Sequence, residues 1–501
     1  MHPCDPNYIG IRINLQFVIN LTAAVQFAGH GLKVMAEVCV IGAGPAGTVF
    51  AARLAQLGYR VHLVERGRFP RRHLGESLSP GVMPLLAAAQ LHDVIETAGF
   101  PRVSGVWVKW ADGPILRQDA REQGILVDRG EFDLRLLERA RDFGVRVYQP
   151  ARILEQSWDG AQWRVRIEAD GNQTDLSADF VADARGRRQT RRRAMVGSST
   201  LAVYGYWRGK SLPTMPRIEA GRDAWYWGVP LPDGTYNTLV FIDPEEFRCV
   251  LGASLTKRFL RLIEASGLME NCCNAELVVA PHVIDATAYL SNEPVTTNRI
   301  EIGDAAVAID PISSSGVQKA IQTALSGAIV ANTLLRRPDS AETAISFYRG
   351  QLTESFERHR RWAGQHYREV ASRNEHSFWS KRATSIAGPE FISAPVTDRR
   401  ASTTAPLALS RDLKFVTTPC LRGDFVSIAD ALHHPRLASP MVFLGGRELA
   451  PLLQGLPPSL TLLQIAQSWS RRMPFTSGMA IAGWLVNHGI LVEQNGGEAV
   501  S

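Results

Sequence analysis

The sequence is short of cysteine, and what it has is not arranged for cross-links or metal. Six cysteines occur in 501 residues, and none forms a Cys-x-x-Cys pair. This usage argues against a disulfide framework and a structural zinc site, and it is typical of a reducing cytosol. We therefore expect no metal, and we predict a cytoplasmic location.

Long apolar runs are also missing. The most apolar stretch near the N-terminus, residues 9–28, is interrupted by several Asn, Gln and Thr residues, so it falls short of the roughly 20 apolar residues that span a bilayer. It lacks the basic start and the cleavage site of a signal peptide. We expect no membrane span, and we expect residues 1–34 to be a disordered or non-native extension, with translation beginning at Met35.

The positive charge of the chain comes from arginine rather than lysine. The net charge is +6, and six arginines are concentrated between residues 185 and 193. Two interpretations of this block remain open: a solvated loop, or a docking surface for an acidic partner. No aromatic residue is interleaved with these arginines, which argues against nucleic acid as a partner.

Residues 38–65 have the pattern of a dinucleotide-binding unit. An apolar strand at 38–41 leads into GAGPAG at 42–47, which opens a helix and is followed by a second strand and an acidic residue. In this pattern the glycines permit a tight turn, approach to a pyrophosphate and close helix packing, while the helix N-terminus faces the phosphates. The acidic residue accepts hydrogen bonds from a ribose. The predicted cofactor-binding residues are Gly42, Gly44, Ala46, Gly47, Glu65 and Arg66.

A second motif, far along the chain, favours FAD over NAD. A strand at 299–302 is followed by GDAA at 303–306, DP at 310–311 and SSGV at 314–317, which opens an alanine-rich helix. This order resembles the second FAD motif of the group A flavoprotein monooxygenases and flavin-dependent halogenases. The resemblance implies that the aspartate binds the ribityl chain and that the helix N-terminus faces the flavin ring. It assigns to the cofactor Gly303, Asp304, Pro311, Ser315, Gly316 and Val317.

Three further stretches resemble motifs of this family and follow its order. They are RRHLGESLSP at 71–80, VDRGEFD at 127–133 and ADARG at 182–186. The resemblance places Arg129 near the cofactor and makes Glu76 and Ser77 candidates for the cavity wall. His73 is the nearest candidate for handling a proton, although a lone histidine is more often structural. The catalytic residue stays unassigned.

Between these motifs, Asp-Gly turns at 112, 159, 170 and 233 predict the hairpins of a mostly antiparallel sheet. The predicted fold class is α/β, with a Rossmann-like FAD domain of the glutathione-reductase type interwoven with a mostly antiparallel β-sheet substrate domain. A mainly helical, winged-helix-like C-terminal module follows. The predicted boundaries are 1–34 for the extension; 35–105, 119–190 and 290–340 for the FAD domain; 106–118 and 191–289 for the substrate domain; 341–388 for a long helical segment; 389–406 for a linker; and 407–501 for the C-terminal module.

A dedicated nicotinamide domain is not expected, because no second glycine-rich fingerprint occurs in the sequence. The chemistry of the family begins with reduced flavin and O2 as co-substrate. Reducing equivalents would come from transient NAD(P)H binding or from a separate flavin reductase, and the sequence leaves both open.

The aromatic segment WYWGVP at 225–230 is similar to the Trp-x-Trp-x-Ile-Pro signature of flavin halogenases. It makes Trp225 and Trp227 candidates for lining the substrate site, with a strand of packed aromatics as the alternative. Against halogenation, no lysine occurs between Lys33 and Lys109, where the resemblance would place the halogenase lysine, and Ser313 replaces the glutamate of those enzymes. These differences favour an FAD-dependent monooxygenase that hydroxylates an electron-rich aromatic ring.

The C-terminal region reads as three short helices at 445–453, 461–471 and 479–488 and a terminal strand at 489–492. This order is reminiscent of winged-helix and peptide-recognition domains, with a structural or dimerising cap as the alternative. Together with the missing lysine, it resembles monooxygenases that hydroxylate a tryptophan side chain in a precursor protein during tryptophylquinone biogenesis. The partner would then be a precursor protein or peptide.

Three other functions remain open. One is an FAD-dependent halogenase of an aromatic substrate. Another is a flavin reductase of lipid double bonds, similar to geranylgeranyl reductase. The third is a flavin-bearing scaffold partner that is not itself an enzyme. Turnover of the flavin with O2 and a substrate would separate the enzymes from the scaffold.

Overall fold

The computed structural model describes residues 36–111, 113–118, 123–188, 193–250, 254–383 and 405–494. The chain divides into two compact units, and the described residues of the first lie within 29–386 and those of the second within 387–501. The predicted extension at 1–34 and most of the predicted linker at 389–406 lie outside the described residues.

Helices account for much of both units. Numbered in chain order, the α-helices of the described residues are α1 Pro45–Gln56, α2 Val82–Ala88, α3 Asp93–Glu96, α4 Arg129–Asp142, α5 Pro244–Cys249, α6 Leu255–Glu264, α7 Gly316–Arg336, α8 Ala341–Ala371, α9 Ser377–Ala383, α10 Ala450–Leu453, α11 Leu462–Ser468 and α12 Phe475–Asn487.

A five-stranded parallel sheet forms the centre of the first unit. Its strands, in spatial order, are Arg299–Glu301, Phe180–Asp183, Glu37–Ile41, Arg60–Val64 and Arg146–Tyr148. The central strand is almost wholly buried, as expected for a strand covered on both faces. Helices α1 and α7 pack against each other beside this sheet.

A seven-stranded sheet provides the second layer. Its strands, in spatial order, are Glu276–Asp285, Leu201–Arg208, Tyr236–Ile242, Ala224–Pro230, Arg217–Ala220, Gly105–Lys109 and Ile115–Gln118. Its neighbouring strands pair antiparallel except for one parallel pair. The mostly antiparallel sheet that the Asp-Gly turns predicted is therefore present.

Three small sheets complete the first unit. The antiparallel strands Ala151–Trp158, Trp163–Ala169 and Asn172–Ala178 form one of them. The other two consist of Arg193–Val196, Tyr289–Ser291 and Val307–Ala308, and of Ser77–Leu78, Gly124–Leu126 and Arg102–Val103.

The long helical segment predicted after the second FAD motif is α8 with α9. Phe378 and Trp379 of α9 are fully buried and pack with Tyr367 of α8 against Trp225 and Phe241 of the seven-stranded sheet. Helix α8 thereby covers one face of that sheet, which brings its side chains close to the site described below.

The second unit has its own hydrophobic core, formed around Leu432, Leu449, Trp469 and Leu485. Its strand pairs are Leu407–Leu409 with Leu491–Glu493, Lys414–Arg422 with Phe425–His433, and Phe443–Leu444 with Arg447–Glu448. The three predicted helices correspond to α10, α11 and α12, and the terminal strand is also present. The first helix is shorter than predicted, the long hairpin was not predicted, and the winged-helix likeness stays a prediction.

In the part of the chain that the structure describes, no helix combines the length and the apolar character needed to cross a membrane.

Candidate active site

The glycine turn between the first strand and α1 leaves room for a ligand at one glycine only. Gly42 has φ +103°, and a Cβ there would lie 2.6 Å from the carbonyl oxygen of Ala184. A Cβ on Gly47 would lie 1.8 Å from the carbonyl oxygen of Gly42. A Cβ on Gly44, in contrast, would meet no atom within 4 Å. The fold itself requires the first two, whereas Gly44 borders the open space that a pyrophosphate needs.

Glu65 lies at the end of the second strand and is bonded to the glycine turn. Its carboxylate accepts hydrogen bonds from the N–H groups of Ala43 (2.8 Å) and Gly67 (2.7 Å). A carboxylate has about four acceptor positions, so Glu65 retains the capacity to accept from a ribose hydroxyl. The neighbouring Arg66 is exposed.

The second FAD motif contacts the first. Gly303 has φ +62°, and a Cβ on it would lie 2.7 Å from the Cβ of Ala46. The N–H of Gly303 donates to the Oγ1 of Thr323 on α7 at 2.9 Å. The two motifs, which are far apart in sequence, therefore meet beside the parallel sheet.

Asp304 is held by two cations. Its Oδ1 accepts a hydrogen bond from the Nζ of Lys319, and its Oδ2 accepts one from the Nε of Arg187 at 3.1 Å. Burial alone would raise the pKa of Asp304, but Lys319 and Arg187 outweigh it and lower this pKa to about 2. The carboxylate is therefore ionised at neutral pH. A third of its side chain is exposed, which leaves it accessible to the ribityl hydroxyls.

The turn before α7 sets the direction of that helix. Pro311–Ser313 is a 3-10 helix, Ser314 has φ +47°, and α7 begins at Gly316. The Oγ of Ser315 donates to the carbonyl oxygen of Ser313 at 2.8 Å, and no side chain of the described residues caps the helix. The first N–H groups of α7 are thus left to bind an electron-rich group.

Arg129 fastens the Gly-Glu-Ser loop that approaches α7. Its Nε and Nη2 donate to the carboxylate of Asp133 at 3.0 Å each, and its Nη1 donates to the carbonyl oxygen of Leu74. Gly75 has φ +100°, and a Cβ there would lie 2.8 Å from the Nη1 of Arg129 and 3.3 Å from Val317. Contact between Arg129 and the cofactor stays a prediction.

The three cavity candidates of this loop have different surroundings. The Oε1 of Glu76 accepts hydrogen bonds from the hydroxyl of Tyr206 (2.8 Å) and the Nδ2 of Asn237 (3.0 Å), and burial raises the pKa of Glu76. Glu76 thereby attaches the loop to the seven-stranded sheet. Ser77 lies in a short strand. His73 is exposed, and its Nδ1 lies 3.0 Å from the carbonyl oxygen of the next residue.

These features fit FAD as the bound group. The open space at Gly44 suits a pyrophosphate, Glu65 suits the adenosine ribose, and the partly exposed Asp304 suits the ribityl chain. The uncapped N-terminus of α7 suits the flavin ring, because its partial positive charge stabilises the anionic reduced form. Each of these groups belongs to the first unit.

A cavity with aromatic walls lies beside the turn before α7. Its lining includes two aliphatic residues of the strand Gly105–Lys109 and the following side chains: Trp110, Trp227, Ser313, Ser314, Trp362 and His366. Because the two serines belong to the turn that leads into α7, this cavity borders the segment that the family motif assigns to the flavin ring. An aromatic ring placed here would be surrounded by indole side chains and close to that segment.

The two tryptophans of the halogenase-like segment occupy different environments. Trp227 lines the aromatic cavity. Trp225 is 1% exposed and stacks on Phe241, with the ring centroids 3.8 Å apart. Trp225 therefore packs in the core, as in the alternative of a strand of packed aromatics, and its contact with a substrate stays a prediction.

His366 places an imidazole ring in the wall of the aromatic cavity. Its imidazole packs edge-on against Trp362 with centroids 4.4 Å apart, and its Nδ1 lies 3.4 Å from the Oε2 of Glu369. Its backbone carbonyl accepts a hydrogen bond from the Nε1 of Trp110 at 3.0 Å. When a carboxylate accepts the Nδ1 proton of a neutral imidazole, the lone pair is on Nε2.

Several of these residues were not predicted from the sequence. Trp362 and His366 reach the cavity only through the packing of α8, and no local motif marks them. Lys319 was also missed, although a lysine on the first turn of an otherwise alanine-rich helix was an available signal. It is 1% exposed, and burial lowers its pKa.

The arginine block proves to be partly paired with acidic residues. In this block, Arg187 bonds Asp304, and the ion pairs on either side of it are Arg185–Asp183 and Arg193–Asp285. The interpretation as a freely solvated loop is wrong for these three arginines.

Comparison with known proteins places this site in a family. A family model described as an FAD binding domain matches residues 35–204. The tryptophan 2-halogenase of Chondromyces crocatus is 30% identical over 375 residues, which cover 69% of this chain and 70% of that protein. The flavin-dependent halogenase armH3 of Armillaria mellea is 29% identical over 376 residues, covering 64% of this chain and 72% of the relative.

Solved structures extend the likeness over most of the chain. The peptidyl tryptophan dihydroxylase QhpG, described as essential for tryptophylquinone cofactor biogenesis, has a TM-score of 0.70 at 25% identity and covers 91% of this chain and 100% of its own. The flavin-dependent halogenase CmlS has a TM-score of 0.74 at 20% identity, covers 93% and 97%, and supports the fold alone. The chain therefore belongs to the superfamily of group A flavoprotein monooxygenases and flavin-dependent halogenases, with FAD as its cofactor.

Proposed function

We propose that this chain uses reduced FAD and O2 to modify an electron-rich aromatic ring, with a tryptophan side chain as the substrate class. The observation that carries this proposal is the aromatic cavity, whose wall includes Ser313 and Ser314 of the turn that leads into α7. Trp110, Trp227 and Trp362 give that cavity the aromatic surface on which another ring packs well.

The contribution of the protein to such a reaction is mainly positional. The residues of the two FAD motifs would hold the cofactor, which when reduced would activate O2, the oxidant of the reaction. The three tryptophans would hold the substrate ring and exclude water, so that the reacting atoms meet in a fixed orientation.

Substitution on an aromatic ring releases a proton, and His366 is the residue that we propose to accept it. It is a wall residue of the cavity, and Glu369 lies beside its Nδ1. With that proton directed to the carboxylate, Nε2 is the basic atom.

Halogenation has the stronger support from the relatives. The tryptophan 2-halogenase is 30% identical over 69% of this chain, and armH3 also carries the name of a halogenase. The substrate class named for the first of these relatives is the one that the cavity suits.

Hydroxylation has support from the site and from one solved structure. The lining of the cavity, as far as the described residues define it, includes no lysine, and Ser313 stands where the halogenase motif has a glutamate. The dihydroxylase QhpG also matches 91% of the chain, including most of the second unit. A polypeptide substrate would follow from this likeness.

One experiment separates these outcomes. Reduced holoenzyme is mixed with O2, bromide and either free tryptophan or a tryptophan-containing peptide, and the products are weighed by mass spectrometry. The bromine isotope pattern would identify a halogenase, and a gain of oxygen would identify a hydroxylase. A gain of hydrogen, or no modified product with any aromatic substrate, would contradict the proposal.

A further inference from the structure

A second cavity, distinct from the aromatic one, has Ile309 and Asp310 in its wall, just before the turn that leads into α7. Its volume is about 180 Å³, and it lies between α8, α9 and the segment at 196–198. Two cationic side chains, Arg360 and Lys381, stand at its rim with 46% and 52% of their side chains exposed. Its deeper wall is formed by His359, Arg382 and Tyr367, which are each less than a tenth exposed.

The lining of this cavity is rich in cationic side chains. Arg360, Arg361, Lys381 and Arg382 line it, and Asp310 is its acidic lining residue among the described ones. Two further carboxylates lie nearby: Glu357 is 3.5 Å from Arg360, and Asp243 is 2.6 Å from Arg382 and 3.6 Å from Lys381. Among the described residues that line the cavity, cationic side chains therefore outnumber carboxylates.

Two buried nitrogen atoms of the wall lack a partner. The Nδ1 of His359 and the Nε of Arg382 have no hydrogen-bond partner in the part of the chain that the structure describes. The other contacts of Arg382 are made: Nη2 donates to Asp243 and to Thr200, and Nη1 donates to Phe378. A buried donor without an acceptor costs about 1–3 kcal/mol, and an acceptor entering the cavity would offset that cost.

We propose that this cavity binds a small oxyanion, a carboxylate or a phosphate group. The Nε–H of Arg382 is a charged donor, and the neutral imidazole of His359, whose pKa burial lowers to about 3, donates as well in the tautomer that carries its proton on Nδ1. An oxyanion has several acceptor atoms and so matches donors on two helices. A cationic or purely apolar ligand would offer these two nitrogen atoms no hydrogen-bond acceptor. The group would come either from an acidic side chain or terminus of a polypeptide, or from a nucleotide phosphate.

The location suggests what the site would be used for. Asp310 and Tyr367 line this cavity, and the hydroxyl of Tyr367 donates to both oxygens of Asp310 at 3.0 and 3.2 Å. Asp310 in turn accepts from the N–H of Ile312 at 3.0 Å, in the turn that borders the aromatic cavity. An anion bound here would therefore be connected to the turn beside the aromatic cavity through the hydrogen bonds of Tyr367 and Asp310.

The test is calorimetric titration of the full-length holoenzyme with acetate, inorganic phosphate and NADPH, each against a chloride background. We expect saturable binding of acetate, phosphate or both. We expect His359→Phe, which keeps a ring of similar shape but removes Nδ1, to weaken this binding about tenfold. Arg360→Ala at the rim should weaken it as well, and it provides the answer if the buried variant fails to fold.

The matched control is Lys257→Ala, which removes one exposed cation from α6 outside the cavity and should leave the affinity unchanged. Binding of acetate and of acidic peptides would assign the site to a polypeptide group, and competition between phosphate and NADPH would assign it to a nucleotide. The proposal is overturned if neither oxyanion binds saturably, if both cavity variants bind as the wild type does, or if chloride binds equally well.

Discussion

At the scale of single residues, two glycines of the same turn lack a side chain for different reasons. Gly42 adopts a left-handed backbone and packs against Ala184, so a side chain there strains the fold. Gly44 has an extended backbone with open space around its Cβ position. Only the second position reserves room for the cofactor.

We predict that Gly44→Val folds normally but loses at least nine-tenths of its FAD, because the new side chain fills the space for the pyrophosphate. Gly42→Val should instead lower the melting temperature, through left-handed strain of about 1–2 kcal/mol and the clash with Ala184. The measurements are the flavin-to-protein absorbance ratio and the thermal unfolding curve. A Gly44→Val protein that retains full FAD would contradict this division.

The pair of Lys319 and Asp304 gives a prediction on stability. Lys319→Met removes the cation that holds the carboxylate, and we expect the free energy of unfolding at pH 7 to fall by about 2 kcal/mol. This is less than the usual cost of breaking a buried pair, because a third of the Asp304 side chain is exposed and Arg187 remains beside it.

The pH dependence of this difference has a definite sign. The pKa of Asp304 is lowered to about 2 in the folded chain, so its stabilising contribution is present above its ordinary value near 3.8 and is lost as the pH falls toward 2. Urea unfolding should therefore show the gap between wild type and Lys319→Met closing between about pH 4 and pH 2. Lys257→Met is the exposed control, and a gap that stays constant over this range would contradict the assignment.

At the scale of secondary-structure elements, α8 determines the rear wall of both cavities. It supplies Trp362 and His366 to the aromatic cavity. It also supplies His359 and Tyr367 to the second cavity, which is the proposed oxyanion site. The FAD motifs could be predicted from sequence because a tight turn and a close approach impose local residue choices. The α8 residues could not, because only the packing of a distant helix brings them to the site.

Two tyrosines of α8 allow a matched test of its role. Tyr367 donates to Asp310 beside the aromatic cavity, whereas Tyr348 donates to the carbonyl oxygen of Glu301 at 2.8 Å. Each phenylalanine variant loses one buried hydroxyl, so both should be destabilised by about 1 kcal/mol.

We expect only Tyr367→Phe to lower the yield of modified substrate per O2 consumed, because it loosens the turn before α7. The measurement is product formation against O2 uptake at saturating FAD. Equal coupling yields in the two variants would show that α8 serves only as a scaffold.

At the scale of the whole molecule, the chain consists of two compact units. The predicted FAD-site residues lie in the first unit, and the second has its own core. Its helices could be predicted from their apolar periodicity. Its hairpin Lys414–Arg422 with Phe425–His433 was missed, because Pro419 and the mixed exposure of its residues obscure the alternation of a strand.

We predict that a chain ending at residue 386 still binds FAD and still modifies free tryptophan. If the second unit recognises a polypeptide, the same truncated chain should modify a peptide substrate at least tenfold more slowly than the full chain. The rate on free tryptophan is the control for the rate on the peptide, because both are measured with the same truncated chain. Loss of FAD from the truncated chain would contradict the assignment of the complete FAD site to the first unit.

The most direct test of the central claim, that a ring in the aromatic cavity is modified at the expense of reduced FAD and O2, is a single-turnover experiment. Reduced wild type and His366→Asn are mixed with O2 and a tryptophan-containing substrate, and modified product is counted per flavin oxidised. We expect close to one product per flavin in the wild type, and a large loss of product in His366→Asn while the flavin is still reoxidised. Reoxidation that yields only hydrogen peroxide in the wild type, with every aromatic substrate tried, would contradict the claim.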